Sequence, residues 1–566
     1  MTGTFTIRDH VPVPMRDGID LHADVWLPEG AGPFPVLLQR TPYIKEEPFG
    51  TQHISAMDFR GTLRRGYAIV VQDCRGRWSS DGQFDPFCNE TADGHDTIAW
   101  LCAQPFCDGR IAMFGASYVG ATQVLASLGA PEGLAAIAPN LTTARHDETW
   151  TSRGGAVELG FLYLWIIEAL AGIDLQKRAG DMTPGALARA RALLADLSAD
   201  PDAAFRRLPL IDEGLVGLAP YVADWFETAT AETTRLTELA ETPVPALVIG
   251  GWNDIFVEGS IELFETLRGR WPTRAEVPDR LILGPWSHGN PSDFQGDLWH
   301  GYGSTTAPLL AEHLAFFEAA FAGACPDTPM VRYFRSGSNT WHAAPDWPLP
   351  GTAPREMFLD GAGGLSAAPG PDAALRYTAD PSDPVPTTGG ATFLPGLVMG
   401  KNSGPRDQAE VERRGDVLVL TSAPLEAAME VTGRVEAVLW VATTAPCCDW
   451  TVRLCEVDAT GASRGLVDGI LRWDAPDGAA PAVVRVTLGH IGHLFAQGSR
   501  VRVQVASSNF PRFDRNPQSG AAPATATEAD FRPAAQTVLV GAAHPSRIVL
   551  PVIPEAFPGG PEFTAL

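Results

Sequence analysis

Short apolar runs alternate with helix-like segments over about residues 17–145, and no other feature constrains the fold as strongly. The runs are nearly continuous in apolar residues, as in strands buried on both faces of a parallel sheet. They lie at Pro33–Gln39, Tyr67–Gln72, Arg110–Phe114 and Leu134–Ala138, with helices predicted at Glu90–Ala103 and Tyr118–Leu128. This alternation predicts an open α/β domain.

The pattern changes to helical over residues 146–240. An apolar helix is predicted over Ala156–Ile173, and Thr183-Pro184 has the residue types of an N-cap and first helical position, with that helix reaching Leu197. Strand-like runs return from residue 243 onward. We therefore predict an α/β core over residues 1–145 and 241–350, interrupted by a helical cap at 146–240.

Residues 351–566 have a third pattern. The stretch 351–400 holds sixteen Gly or Pro residues, which argues against long regular elements there. Short strand-like runs with turn residues between them follow at Val417–Leu420, Val435–Ala442, Trp450–Val457, Val483–Leu488, Val501–Ala506, Thr537–Val540 and Ile548–Val552. Such spacing predicts an all-β sandwich of jelly-roll type as a separate domain.

Charge and hydropathy narrow the functional classes. Acidic residues outnumber basic ones 67 to 42, so no binding of nucleic acid or of an anionic membrane through bulk charge is expected. No apolar run approaches the roughly 20 residues of a membrane span, and the first residues lack a secretion signal, which favours a cytoplasmic location. His490 and His493 have no suitably spaced further ligands, so neither a metal nor a cofactor is predicted.

Ser117 is the candidate nucleophile. It stands in the string Gly115-Ala116-Ser117-Tyr118-Val119-Gly120, between a predicted strand and a predicted helix. A serine on such a tight turn exposes its Oγ, and the amide of the next residue, at the helix N-terminus, points toward an oxyanion formed there. The G-x-S-x-G pattern is not met, because position 119 is Val and the glycine follows one residue later.

A serine nucleophile needs a base and a carboxylate that orients the base, and in α/β-hydrolases these follow in the order Ser, Asp or Glu, His. Asp254 directly follows the strand-like run Pro243–Gly250, and His288 follows Arg280–Leu283. Either residue alone has a plainer interpretation, as a turn residue or a structural imidazole. Together, in this order and at strand ends, they favour a catalytic triad with Ser117.

The strings RTPY (40–43), GYAIVVQDCRGRWSSDG (66–82), DGHDTIAWL (93–101), GASYVG (115–120), GWNDIF (251–256), GPWSHG (284–289) and SSNFPRFDRNPQSG (507–520) resemble those of the cocaine-esterase-like (CocE/NonD) hydrolases. That family is related to X-Pro dipeptidyl-peptidases and α-amino-acid ester hydrolases. The strings occur in the family's order over nearly the whole chain. The resemblance implies an α/β-hydrolase domain with an inserted helical cap and an appended jelly roll.

The resemblance also implies site roles. Ser117 would be the nucleophile, His288 the general base and acid, and Asp254 its orienting partner. The Tyr43 hydroxyl and the Tyr118 amide would form the oxyanion hole, although the residues alone favour a packed aromatic at Tyr43. The family's pocket placement matches Trp150, Phe161, Trp165 and Phe256, although aromatic residues on helices are often core.

These assignments predict a serine hydrolase that cleaves esters with a bulky apolar acyl group. The expected partner is a small-molecule ester or amide, with a homodimer as one possible assembly. An alternative is a dipeptidyl-peptidase or α-amino-acid ester or amide hydrolase, which needs carboxylates to bind a free ammonium group. Its candidates are Asp147, Glu148, Glu158 and Asp224.

A third hypothesis is a carbohydrate-binding protein with an inactive hydrolase domain. Its candidate contacts are Trp440, Trp450 and Trp473 in the predicted jelly roll. An intact set of triad residues argues against loss of activity.

Overall fold

The computed structural model describes residues 5–47, 57–180, 182–222, 225, 236–271, 278–394, 403–475 and 481–554. Within them, ten strands form one sheet in the order β1-β2-β4-β3-β5-β6-β9-β10-β13-β14. Their bounds are β1 Thr6–Pro14, β2 Asp20–Leu27, β3 Phe34–Thr41, β4 Ala68–Asp73, β5 Cys107–Ala116, β6 Leu134–Asn140, β9 Leu247–Gly251, β10 Arg280–Gly284, β13 Val331–Arg335 and β14 Thr340–Ala344.

The central strands β4, β3, β5, β6, β9, β10 and β13 are parallel. Both faces of this sheet are buried, as their apolar runs predict. Along β5, Ile111 and Met113 pack into one core cluster, while Ala112 and Phe114 pack into another on the opposite face. The carboxyl ends of the parallel strands therefore meet at one edge of a rigid sheet, where α/β folds place their ligands.

Helices accompany this sheet and form most of the described residues between Leu159 and β9. The α-helices that the structure describes are Phe59–Arg64, Glu90–Cys102, Tyr118–Ser127, Leu159–Leu164, Gly172–Arg178, Pro184–Ala199, Pro201–Arg206, Glu213–Leu218, Leu236–Leu239, Val257–Gly269, Leu309–Phe321 and Ala409–Glu412. Two segments, Asp147–Thr151 and Trp165–Ala171, are π-helical, and Tyr302–Ser304 and Glu528–Asp530 are 3₁₀ turns. Two strand pairs stand apart: β7 Ser152–Arg153 with β8 Ala156–Val157, and β11 Phe294–Gln295 with β12 Leu298–Trp299.

The helix predicted over Ala156–Ile173 is wrong at its start and in its regularity. Ala156 and Val157 belong to β8, and the helical run begins at Leu159 and changes to π-helix at Trp165. The predicted N-cap at Thr183 is confirmed, because its side chain accepts a hydrogen bond from the Ala186 amide at 3.2 Å.

The carboxyl-terminal part is all-β, as predicted. Eleven described strands form a second sheet system in the order β17-β24-β19-β25-β15-β16-β18-β23-β20-β21, with β22 paired to β19. Their bounds are β15 Ala353–Leu359, β16 Gly364–Ser366, β17 Ala373–Ala379, β18 Leu418–Ser422, β19 Met429–Thr443, β20 Cys447–Val457, β21 Ser463–Asp474, β22 Ala482–Phe495, β23 Arg500–Ala506, β24 Ala534–Val540 and β25 Arg547–Ile553. The apolar side chains of these strands form a core of their own.

None of the helices that the structure describes is long and apolar enough to span a bilayer.

Candidate active site

Ser117 stands on a strained turn between β5 and the helix Tyr118–Ser127. Its backbone has φ 61° and ψ −131°, a conformation that non-glycine residues rarely adopt. Backbone strain of this kind is concentrated at functional sites, and it holds the Ser117 side chain at the strand end.

Gly115 and Gly120, on either side of Ser117, stand where a Cβ atom would clash with neighbouring side chains. A Cβ at Gly120 would lie 2.7 Å from Thr142 Cγ2 and 2.8 Å from Thr142 Cβ, so only glycine lets this helix approach the Thr142 side chain closely. A Cβ at Gly115 would lie 2.3 Å from Val119 Cγ1. The Val119 side chain thus occupies the space beside Gly115 that a Cβ there would need. Valine therefore fits at position 119, and the second glycine of the string stands at position 120.

His288 and Asp254 complete a hydrogen-bonded chain with Ser117. His288 Nε2 lies 3.1 Å from Ser117 Oγ, and His288 Nδ1 lies 2.8 Å from Asp254 Oδ2. Asp254 is fully buried, and the His288 side chain is 12% exposed. A buried carboxylate on one ring nitrogen fixes the imidazole tautomer, leaving the other nitrogen to accept a proton from serine.

The loops that carry Asp254 and His288 follow adjacent parallel strands and are joined to each other. The Asn253 side chain donates to the Pro285 carbonyl at 2.7 Å, and the Asn253 amide donates to the Trp286 carbonyl at 3.1 Å. The second oxygen of Asp254, Oδ1, accepts from the Phe256 amide at 2.7 Å. The carboxylate is thus held from two sides and cannot rotate freely.

Tyr43 lies two residues after the end of β3 and is 5% exposed. Trp165 Nε1 donates to its hydroxyl at 2.8 Å, and Ser117 is a second hydrogen-bond partner. Burial raises the pKa of Tyr43 to about 12 although these hydrogen bonds oppose the shift. The phenol is therefore protonated at neutral pH and has a hydrogen to donate.

Tyr118 follows the nucleophile and presents its backbone and its side chain in different directions. Its amide lies at the N-terminal end of a helix, where backbone N–H groups have no intrahelical acceptor. Its buried hydroxyl donates to Glu90 Oε1 at 2.9 Å and accepts from the Phe87 amide at 2.8 Å. The side chain thereby anchors the residue whose amide directly follows Ser117 in the chain.

The four predicted pocket aromatics form one buried cluster beside His288. Trp150 stacks on Phe256 with ring centroids 4.3 Å apart, and Phe161 stacks on Trp165 at 5.6 Å. The Phe256 ring meets the His288 ring edge-on at 5.1 Å. The structure thus brings the predicted pocket residues to the predicted triad.

Other aromatic residues that the sequence interpretation missed join this cluster, among them Phe393 and Phe87. Phe393 lies between β17 and β18 of the all-β domain, and its ring is 5.2 Å from the His288 ring and 6.1 Å from the Phe161 ring. Phe87 lies 5.1 Å from Trp150. Neither stands at a motif or a helical spacing that would have marked it, because both reach the site through contacts distant in sequence.

Comparison with known proteins agrees with this architecture. The family model described as X-Pro dipeptidyl-peptidase (S15 family) matches residues 17–290, and the one described as X-Pro dipeptidyl-peptidase C-terminal non-catalytic domain matches residues 323–549. The cocaine esterase of Rhodococcus sp. (strain MB1 Bresler) is 34% identical, over 97% of this chain and 99% of that protein. The chain belongs to the cocaine-esterase-like serine hydrolases of the S15 family.

Solved structures related to this hydrolase share its fold over almost the whole chain. An α-amino acid ester hydrolase matches with a TM-score of 0.78 at 25% identity, covering 97% of this chain and 96% of that one. An aminopeptidase from a marine sediment archaeon, Thaumarchaeota archaeon, matches with a TM-score of 0.77 at 25% identity and the same coverage. The hydrolase is therefore an α/β-hydrolase-type domain followed by an all-β domain.

The carboxylates considered for binding an ammonium group have other partners in this hydrolase. Glu158 lies 3.3 Å from both Arg153 Nε and Arg512 Nη2. Glu148 accepts a hydrogen bond from the Gly154 amide at 2.7 Å, and Asp147 lies 3.7 Å from Arg145 Nε. Asp224 lies outside the described residues.

The histidines weighed as metal ligands also pair with acids. His490 Nδ1 lies 2.8 Å from Glu258 Oε2, and His493 Nε2 lies 2.9 Å from Glu456 Oε2. Of the tryptophans considered for carbohydrate binding, Trp450 is fully buried and presents no ring to a ligand.

Proposed function

We propose that this hydrolase cleaves carboxylic esters with a bulky apolar acyl group through Ser117, His288 and Asp254. The observation that carries the proposal is the unbroken hydrogen-bonded chain from Ser117 Oγ through both nitrogens of His288 to Asp254. The similarity to a cocaine esterase supports ester bonds as the substrate class. The segment 146–240 would act as the helical cap, and residues 351–566 would form the jelly roll.

The proposed reaction has two steps. Ser117 Oγ attacks the ester carbonyl carbon while His288 Nε2 takes the serine proton, and the carbonyl oxygen becomes an oxyanion. The Tyr43 hydroxyl and the Tyr118 amide donate hydrogen bonds to that oxyanion. The C–O bond to the alcohol then breaks, and His288 returns the proton to the departing alcohol oxygen.

The second step releases the acyl group. His288 Nε2 takes a proton from water, the water oxygen attacks the acyl carbon, and the bond to Ser117 Oγ breaks as the serine regains its proton. Asp254 stays ionised and holds the imidazolium that forms in each step. The products are a carboxylic acid and an alcohol.

The aromatic cluster supports an apolar acyl group. Phe256 and Phe393 pack against the His288 ring, and the cluster behind them offers aromatic faces and edges, which bind apolar groups by burial and offset stacking. A free ammonium group placed there would be costly to desolvate without an available carboxylate, and the described candidates are engaged elsewhere. We therefore favour uncharged acyl groups over dipeptides with a free amino terminus.

The experiment is turnover of p-nitrophenyl esters of increasing acyl size by the wild type and by Ser117→Ala. We expect Ser117→Ala to lose turnover by a factor on the order of 10⁶, and a fluorophosphonate probe to label the wild type alone. Wild-type turnover by Ser117→Ala would overturn the assignment. Comparison of N-blocked and free α-amino esters tests the acyl class, because a strong preference for the free amine would favour the peptidase alternative.

A further inference from the structure

The Tyr43 hydroxyl has a hydrogen-bond donor of its own. Trp165 Nε1 lies 2.8 Å from the Tyr43 oxygen, and an indole N–H only donates, so the phenol oxygen accepts this bond. A phenol carries a single hydrogen, which must therefore point elsewhere. Ser117, at which the proposed oxyanion forms, is a further hydrogen-bond partner of this hydroxyl.

Trp165 is held tightly enough to fix this geometry. Its ring is sandwiched between Phe161, 5.6 Å away and 13° from parallel, and Trp225, 5.5 Å away and 5° from parallel. Trp165 also opens the π-helical segment Trp165–Ala171. Such segments are rare and are often found at functional sites.

Arg77 joins that π-helical segment to the Tyr43 loop. Its buried guanidinium donates from Nε to the Pro42 carbonyl at 2.8 Å and from Nη2 to the Leu170 carbonyl at 3.1 Å. Arg77 thus contacts the backbone next to Tyr43 and the π-helical segment that begins with Trp165, at Leu170. It links the two segments that carry the 2.8 Å contact between Trp165 Nε1 and the Tyr43 hydroxyl.

We propose that Trp165 is a positioning residue for oxyanion stabilisation: its indole N–H occupies the Tyr43 oxygen and so directs the Tyr43 hydrogen to the substrate carbonyl oxygen. A donor to the phenol oxygen also polarises the O–H bond and strengthens it as a donor. The oxyanion hole is then complete only when the π-helical segment Trp165–Ala171 holds the Trp165 indole against the Tyr43 hydroxyl. This inference rests on the proposed function of Ser117 and Tyr43, and it goes beyond a pocket-lining role for Trp165.

A double-mutant cycle tests the inference with p-nitrophenyl acetate, whose small acyl group needs little of the aromatic pocket. Tyr43→Phe is expected to lower kcat about 10²–10³-fold. Trp165→Phe keeps an aromatic ring but removes the N–H, and we expect it to lower kcat about three- to tenfold with little change in KM. In the Tyr43→Phe background, Trp165→Phe should change kcat by less than about twofold, since there is no hydroxyl left to orient.

Trp150 provides the matched control. It belongs to the same cluster, and its buried Nε1 has no hydrogen-bond partner among the residues that the structure describes. Trp150→Phe makes the same chemical change at a tryptophan that donates no hydrogen bond to Tyr43. Its effect on kcat should therefore be the same with and without the Tyr43 hydroxyl. Equal effects of Trp165→Phe in both backgrounds, or the same dependence on Tyr43 for both tryptophans, would overturn the inference.

Two further measurements separate the other causes of lost activity. Endpoint labelling of Ser117 by a fluorophosphonate gives the concentration of reactive sites. Because kcat is calculated from that concentration, misfolded protein does not lower it. Where Trp165→Phe does not fold, β-(3-benzothienyl)alanine at position 165 keeps the ring shape and removes only the N–H; unchanged kcat in that variant contradicts the inference. Turnover that survives Ser117→Ala is instead a failure of the proposed function itself.

Discussion

At the scale of single residues, Asp254 is the most constrained member of the site. One carboxylate oxygen holds His288 Nδ1 at 2.8 Å, and the other is occupied by the Phe256 amide at 2.7 Å. Each oxygen therefore accepts one hydrogen bond, and a rotation that exchanged the two oxygens would break both bonds. A substitution that keeps the shape of Asp254 but removes its charge can therefore show how much the charge contributes.

Asp254→Asn is such a substitution. Asparagine keeps the shape but favours the wrong imidazole tautomer, so we expect kcat to fall by a factor on the order of 10⁴ with a Tm close to that of the wild type. Steady-state kinetics on p-nitrophenyl esters and thermal unfolding measure the two effects. A variant that keeps more than a tenth of wild-type kcat would show that Asp254 does not orient the base.

The sequence predicted Ser117, Asp254 and His288 as a set because chain order and strand ends are local signals. Tyr43 and the pocket aromatics needed the family resemblance, since an aromatic residue has the same pattern in a core and in a pocket. Phe393 and Arg77 could not be predicted at all. Their roles depend on packing between segments far apart in the chain, and nothing in their local sequence records it.

At the scale of elements, the parallel strands β3, β4, β5, β6, β9 and β10 were predicted because burial on both faces makes them continuous apolar runs, whereas the parallel strand β13 was missed. The strand β21, Ser463–Asp474, was missed because Gly465 and Gly469 interrupt its pattern. Gly469 is required there: a Cβ would lie 1.9 Å from the Thr487 carbonyl oxygen. The three strands β15, β16 and β17 within 351–379 were likewise hidden by the glycine and proline content.

Close packing of the helix Tyr118–Ser127 gives a prediction for Gly120. Gly120→Ala places a methyl group 2.8 Å from Thr142 Cβ, so the helix must shift, and we expect a loss of about 1–3 kcal/mol in stability together with lower kcat. The control is Gly217→Ala in the helix Glu213–Leu218, where nothing lies within 4 Å of the new Cβ. There the better helix propensity of alanine should raise Tm slightly.

Thermal unfolding of both variants measures the difference. If Gly120→Ala and Gly217→Ala change Tm by the same amount and in the same direction, Gly120 is not needed for the close approach of its helix to the Thr142 side chain.

At the scale of the whole molecule, a partly buried acid ties the all-β domain to the helix that follows Asp254. Glu258 lies in the first turn of the helix Val257–Gly269 and accepts from both the backbone amide and Nδ1 of His490 on β22. Burial alone would raise the pKa of Glu258, but the charge and hydrogen bonds of His490 outweigh it and lower the pKa to about 2.

This pairing predicts a pH-dependent contribution to stability. Because the folded-state pKa of Glu258 lies below its ordinary 4.5, the ionised form stabilises the fold above pH 4.5, and this is lost as the pH falls from 4.5 toward 2. The wild type should therefore exceed Glu258→Gln in Tm at pH 6, and the gap should narrow below pH 4.5.

Thermal unfolding between pH 7 and 3 measures this gap. Glu132→Gln, which changes an exposed carboxylate, serves as the control and should show a small gap that does not change with pH. A Tm gap for Glu258→Gln that stays constant over this range contradicts the assignment.

The position of Phe393 has a consequence for how such proteins change over time. Its ring faces His288 from the carboxyl-terminal half of the gene, whereas Phe256 faces the same imidazole from the amino-terminal half. Recombination that joined this gene up to the end of β14, Ala344, to the all-β part of a relative's gene would keep Ser117, Asp254 and His288 intact. It would still exchange Phe393 beside the imidazole, so substrate preference would be inherited from both parts while the reaction would be inherited from the first.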